Sequence, residues 1–244
     1  MRPKRVLAVY AHPDDPEISC GGTLATWAAT GSQVHVLVCT QGEKGSGDPK
    51  AAPADVVQRR AQEMVAAGTA LGLTGREHLA VADGELAEHH DLRLEIVAAV
   101  RRLKPQVVLC PDPTAVFFGD SYYNHADHRV VGYSCLDAVA PAAANPHYFP
   151  AAGPAHQVST VLLSGTLEPD TWVDVTVGME AKIAAVLCHA SQLTAMGPPP
   201  VSSDHAGGSP EWFAAVLRER AIDAGSRAGV RFAEGFRRLC LSPS

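Results

Sequence analysis

Short runs of uninterrupted apolar residues alternate along this chain with longer stretches where apolar positions recur every three or four residues. Val6-Leu7-Ala8-Val9-Tyr10 is the first such run. Runs of this kind predict strands buried on both faces, as in parallel sheets. Further strands are predicted over 34–39, 77–81, 107–110, 158–163 and 172–175, with 232–236 closing the fold. Helical spacing predicts helices over 21–30, 55–71, 92–103, 130–139, 177–189 and 211–224. Ser19 caps the first of them and Gly31 ends it; Gly72 closes the second. Strands alternating with helices predict an α/β fold. The expected form is a Rossmann-like, doubly wound, mostly parallel sheet flanked by helices, with a smaller C-terminal section of strand and loop. No internal repeat divides the chain, and 1–244 reads as a single domain.

Between these elements lie polar segments at predicted strand ends, where binding loops are expected. Thr40-Gln41-Gly42-Glu43 opens a Gly- and Pro-rich loop that runs to Pro53. Residues 114–124 form a polar and aromatic loop, 141–157 are Ala- and Pro-rich, and 195–210 are rich in Gly, Pro and Ser. The last segment is expected to be a mobile loop or lid.

Composition narrows the function. A length of 244 residues suits one domain, and 46% apolar residues argue against disorder. A net charge of −6 without a basic run excludes nucleic acid as a partner. The start Met1-Arg2-Pro3-Lys4-Arg5 imitates a signal peptide, but its apolar run stops at His12, too soon for a signal core. No stretch reaches membrane-spanning length, so a membrane is excluded and a cytoplasmic location is expected. The six cysteines form no CxxC pair and read as buried free thiols of a reducing compartment. No phosphate loop or dinucleotide fingerprint stands at a strand-to-helix junction.

Two polar clusters carry chemistry. His12-Pro13-Asp14-Asp15 ends the first strand, and His125-Ala126-Asp127-His128 follows the 107–110 strand and its loop. Both fall at the edge of the sheet where α/β folds bind ligands. A catalytic metal takes three protein ligands and leaves one position open. His12, Asp15 and His128 supply such a set, and Asp14 is left free as general base. His125, as an imidazolium, is expected to stabilise an oxyanion or protonate a leaving amine. Tyr123 is a second oxyanion donor, and Asp127 sets a histidine tautomer. Each cluster alone has a structural explanation, as a helix start or a solvated loop. Glu43, Asp48 and Arg60 are candidate substrate contacts, with Phe117 in the aromatic loop and His189 at a helix end.

The stretch Ala11-His12-Pro13-Asp14-Asp15, followed by His125-x-Asp127-His128, resembles the PIG-L/LmbE-like family of zinc-dependent N-deacetylases. Weaker matches are Thr40-x-Gly42-Glu43, Arg60-x-x-Glu63, Leu71-Gly72, Asp83-Gly84 and His189-x-Ser191-Gln192, so the resemblance covers 6–192. It implies zinc on His12, Asp15 and His128, Asp14 as base, and His125 at the oxyanion or leaving amine. Iron(II) or another divalent ion suits the same ligands. Ala126 departs from the family, where many members have Pro. The resemblance implies removal of an N-acyl group from a GlcNAc-containing glycoside, thiol-cofactor precursor or antibiotic intermediate. An amidase acting on a thiol conjugate and a non-catalytic sugar-binding module are the alternatives. The Ala-rich chain, with Arg above Lys, fits a GC-rich bacterium and specialised metabolism. A homo-oligomer is compatible with this reading.

Overall fold

The computed structural model describes residues 1–88, 91–120, 122–193 and 209–241. The lid expected over 195–210 lies outside the described residues except at its end. The chain begins with strand β1 (Arg5–Tyr10), helix α1 (Asp15–Ala29), β2 (Gln33–Thr40), α2 (Pro53–Leu71) and β3 (Gly75–Val81). It continues through α3 (Leu92–Leu103), β4 (Val107–Pro111), β5 (Phe117–Phe118), β6 (Tyr122–Tyr123) and α4 (Ala126–Asp137). Then come β7 (Thr160–Ser164), β8 (Thr171–Asp174), α5 (Met179–Cys188), the short α6 (Ala190–Leu193), α7 (Pro210–Ala228) and β9 (Ala233–Cys240).

Among the described residues one seven-stranded sheet has the order β3-β2-β1-β4-β7-β9-β8. β3, β2, β1, β4 and β7 are parallel, while β9 runs antiparallel to both β7 and β8. The parallel strands read as continuous apolar runs because helices cover both faces. Along β1 successive side chains point to opposite faces. Leu7 and Val9 enter one core with α3 and α4, and Val6, Ala8 and Tyr10 enter another with α1 and α2. Each Val or Leu side chain among them, fully buried, contributes about 1.5–3 kcal/mol. The sheet order reverses between β1 and β4, the crevice where doubly wound sheets bind ligands.

Two elements differ from the sequence expectation. α1 starts at Asp15 rather than at 21, and its backbone leaves helical geometry at Cys20. The break frees backbone groups that other parts of the chain satisfy. Buried Glu234 accepts from Gly22 N at 3.0 Å and Thr23 N at 2.8 Å, while Lys182 donates to Ile18 O at 2.9 Å. A distant ion pair therefore caps the second half of α1, in place of the expected Ser19. The segment expected to be a loop over 114–124 contains the β5–β6 hairpin, and α4 starts four residues earlier than expected, at Ala126.

Candidate metal centre and active site

β1 ends at Tyr10, and the chain turns sharply into α1. Asp14 sits at that turn with φ 134°. An L-residue other than glycine rarely adopts this conformation, and such strain persists only where surrounding contacts hold it. Arg60, buried in α2, is the holder. Its guanidinium donates to Pro13 O at 2.7 Å, to Asp14 Oδ1 at 3.1 Å and to Gly42 O at 2.9 Å. Arg60 was expected to contact substrate; it lines the cleft, but its terminal nitrogens brace the turn.

The turn aims His12 and Asp15 at His128, on the first turn of α4. His12 Nδ1 lies 3.3 Å from Asp15 Oδ2 and 3.2 Å from His128 Nε2. His128 Nε2 lies 3.2 Å from Asp15 Oδ1. A tetrahedral ion with bonds of about 2.0–2.1 Å holds its ligand atoms roughly 3.3 Å apart. Two imidazole nitrogens and a carboxylate at these spacings fit a divalent cation.

The ligand rings are oriented from behind. His12 Nε2 lies 3.1 Å from Asp83 Oδ1 and 3.5 Å from Asp127 Oδ2. Asp127 accepts from Gly84 N at 2.7 Å, and the Glu43 carboxylate accepts from Asp83 N at 2.9 and 3.2 Å. Glu43, expected as a substrate contact, thus braces the Asp83 turn. His128 Nδ1 pairs with Asn124 Oδ1 at 3.0 Å, and Asn124 donates to Ala115 O. Carboxylate or amide partners of this kind fix the tautomer and raise the basicity of a metal-binding imidazole.

The electrostatics favour a cation. Burial opposes charge on His12, but Asp127, Asp15 and Asp83 outweigh it and push its pKa up to about 12. His128 is also raised, burial being overcome by Asp15. Asp15 is held well below the usual carboxylate range, because its two imidazole neighbours overcome its burial. The carboxylates that trap a proton here are the field a metal ion exploits when it displaces that proton. Next door, burial and the charge of Asp15 push Asp14 up to about 7, while Arg60 pulls the other way.

His125 Nδ1 accepts from Asp127 N at 3.2 Å and so caps α4. Burial and the charge of His12 hold its pKa down. With Nδ1 accepting, Nε2–H is the ring's donor, and the lowered pKa disfavours the expected imidazolium.

Strand alternation corrects two further expectations. In the hairpin, Phe117 pairs with Tyr123 and Phe118 with Tyr122, so each pair shares a face. Tyr122 lines the cleft with His12, Asp14 and His125. Tyr123 is 57% exposed, stacked on Phe117 and lying under the Arg129 guanidinium. Tyr122 thus takes the place expected of Tyr123, and Phe118, rather than Phe117, lines an adjoining hollow with Tyr122, Asp15 and His128. Asp48 is exposed and caps a local turn, accepting from Lys50 N; it lines a neighbouring groove with Arg59. His189 is buried, with Nε2 3.5 Å from Glu17 Oε2, and lines a cavity beside Asp14. Sequence reasoning missed Asp83, Asn124 and Tyr122. The Asp83-Gly84 turn after β3 was the only local signal of the first.

The PIG-L family model, described as GlcNAc-PI de-N-acetylase, matches residues 7–139. A diacetylchitobiose deacetylase of Thermococcus kodakarensis is 32% identical over 237 residues, covering 96% of this chain and 82% of that protein. A 1D-myo-inositol 2-acetamido-2-deoxy-alpha-D-glucopyranoside deacetylase of Rhodococcus jostii is 29% identical, covering 96% of each chain. The solved N,N'-diacetylchitobiose deacetylase of Pyrococcus horikoshii, 28% identical, superposes with a TM-score of 0.82 over 98% of this chain and 84% of that one.

Proposed function

The chain belongs to the PIG-L, GlcNAc-PI de-N-acetylase family, and from that premise we propose that it is a zinc-dependent N-deacetylase of GlcNAc-containing small molecules. The observation that carries this reading is the convergence of His12, Asp15 and His128 beside a buried carboxylate, Asp14, that is not needed as a ligand. The named activities of its relatives, which act on N-acetylated amino sugars, support it.

His12, Asp15 and His128 would hold the cation. When bound, zinc supplies Lewis acidity, which lowers the pKa of water towards about 7 and polarises a carbonyl. Asp14 is the general base. It takes a proton from the attacking water, and its pKa near neutrality suits that role. Arg60 keeps the carboxylate aimed while leaving its second oxygen free. His125 Nε2–H donates to the oxyanion that develops on the acyl carbonyl, with Tyr122 beside it in the cleft. Protonated Asp14 then returns its proton to the departing amine. Asp127 and Asp83 act through His12 as positioning residues. A reducing cytoplasmic location is part of the proposal, supported by six free thiols. No helix among the described residues is long and apolar enough to cross a membrane.

The test is metal content by elemental mass spectrometry on wild type and Asp15→Ala, followed by acetate release from a panel of N-acetylglucosamine conjugates. Near-stoichiometric zinc that falls in the variant, with acetate released by wild type, supports the reading. Stoichiometric iron would replace zinc and keep the rest. A chain that takes up no divalent metal refutes it and leaves a sugar-binding module.

A further inference from the structure

Asp14 stands between two hollows of opposite character. On one side is the polar cleft, walled by Lys44, Asp83, Tyr122 and His125. On the other is a cavity of about 220 Å³ between α1, α5, α6 and α7. Its walls are largely hydrocarbon, from Ile18, Val186, Leu193, Phe213, Val216 and Leu217. Asp14 and Gln192 belong to both linings, so the two hollows adjoin at the base.

We infer that the apolar cavity is an acyl-chain pocket, and that the enzyme hydrolyses N-acyl amino sugars with chains longer than acetyl. The inference rests on the deacetylase reading and extends it. An N-acyl amino sugar changes character at its amide: a polyol on the nitrogen side, hydrocarbon on the carbonyl side. The polyol needs the donors and acceptors of the polar cleft, because a hydroxyl buried without a partner is costly. The acyl chain needs none, and most of the cavity offers none. The amide that joins them then falls beside Asp14, where the proposed chemistry occurs. An acetyl methyl does not fill the space. At on the order of 30 Å³ per small group, the cavity takes several methylenes. The reaction remains a hydrolysis: one water adds across the C–N bond, releasing the longer carboxylic acid and the free amine.

The test uses the metal-loaded enzyme with N-acetyl, N-butanoyl and N-hexanoyl derivatives of one amino sugar, following amine release. Each buried methylene is worth about fourfold, so kcat/KM for the butanoyl substrate, two methylenes longer, should exceed that for acetyl by roughly fifteenfold. Val216→Trp, filling the cavity from α7, should lower the butanoyl-to-acetyl ratio at least to one, and Val216→Ala should raise the hexanoyl-to-acetyl ratio. Hydrolysis of the acetyl substrate alone, or ratios that neither variant moves, overturns the pocket while leaving the deacetylase reading standing. If no substrate is turned over, binding decides by calorimetry. Hexanoate should bind at least tenfold tighter than acetate, and Val216→Trp should remove the difference. Equal binding of the two acids overturns the inference.

Discussion

The candidate centre is assembled from two regions held in different ways: the turn after β1 and the entry into α4. In the first, His12 and Asp14 are buried, and Arg60 ties backbone and carboxylate alike into the core. In the second, Asn124 and Asp127 are buried behind the imidazoles of His128 and His12, while Tyr122 and Tyr123, on a hairpin with two-residue strands, and His125, at the start of α4, face solvent. The same difference separates two adjacent carboxylates. Asp15 reaches across to the α4 imidazole and is held ionised; Asp14 stays on its own side, buried, and is pushed up to about 7. On the proposed reading, the buried region prepares a base and two ligands in advance of substrate. The exposed region closes the ligand set and presents polar groups where a substrate enters.

Variants in each region sharpen that contrast. Asp14→Asn should have the largest effect on rate. Turnover should fall by about a thousandfold, inside the roughly 10²–10⁴ range of general-base removal, while metal content stays at the wild-type level. Loss of metal in that variant would move Asp14 into the ligand set. On the α4 side, Asn124→Ala removes the brace on His128 and should weaken metal affinity by about 10–100-fold. Titration with a competing chelator measures this, and unchanged affinity would show that the α4 ligand needs no support.

Arg60→Gln tests how the buried turn tunes its base. Asp14 works ionised, and the Arg60 cation favours the ionised form. Its removal raises the carboxyl pKa further, so the acidic limb of the kcat/KM profile should move to higher pH. A limb that stays in place would mean that it reports another group. The smallest effect is expected at the hairpin. Tyr123→Phe should leave turnover within about twofold, since its ring stacks on Phe117 away from the cleft, whereas Tyr122→Phe should cost more. The reverse order would restore Tyr123 to the oxyanion.

The apolar runs made the parallel strands and the sheet class legible, because burial on both faces imposes its pattern residue by residue. The two His/Asp clusters were legible as a candidate metal site because strand ends and spacing constrain them locally. The supporting roles were not. Arg60 was read as a substrate contact because nothing local reveals that its guanidinium turns inward to Pro13 and Asp14, forty-seven and forty-six positions away. Glu43 and Asp83 meet across forty positions in the same manner. The Glu234 and Lys182 pair that caps the break in α1 joins segments more than a hundred and sixty residues apart.

By itself, the sequence determined most of the elements, the sheet class and the two His/Asp clusters that form the candidate metal site, since each follows from local pattern and residue chemistry. Only the tertiary structure decided which face of the hairpin meets the cleft, that His125 Nδ1 caps α4, and that an apolar cavity backs Asp14. Those outcomes depend on register, burial and electric field. These arise when distant segments pack together, and no window of sequence contains them.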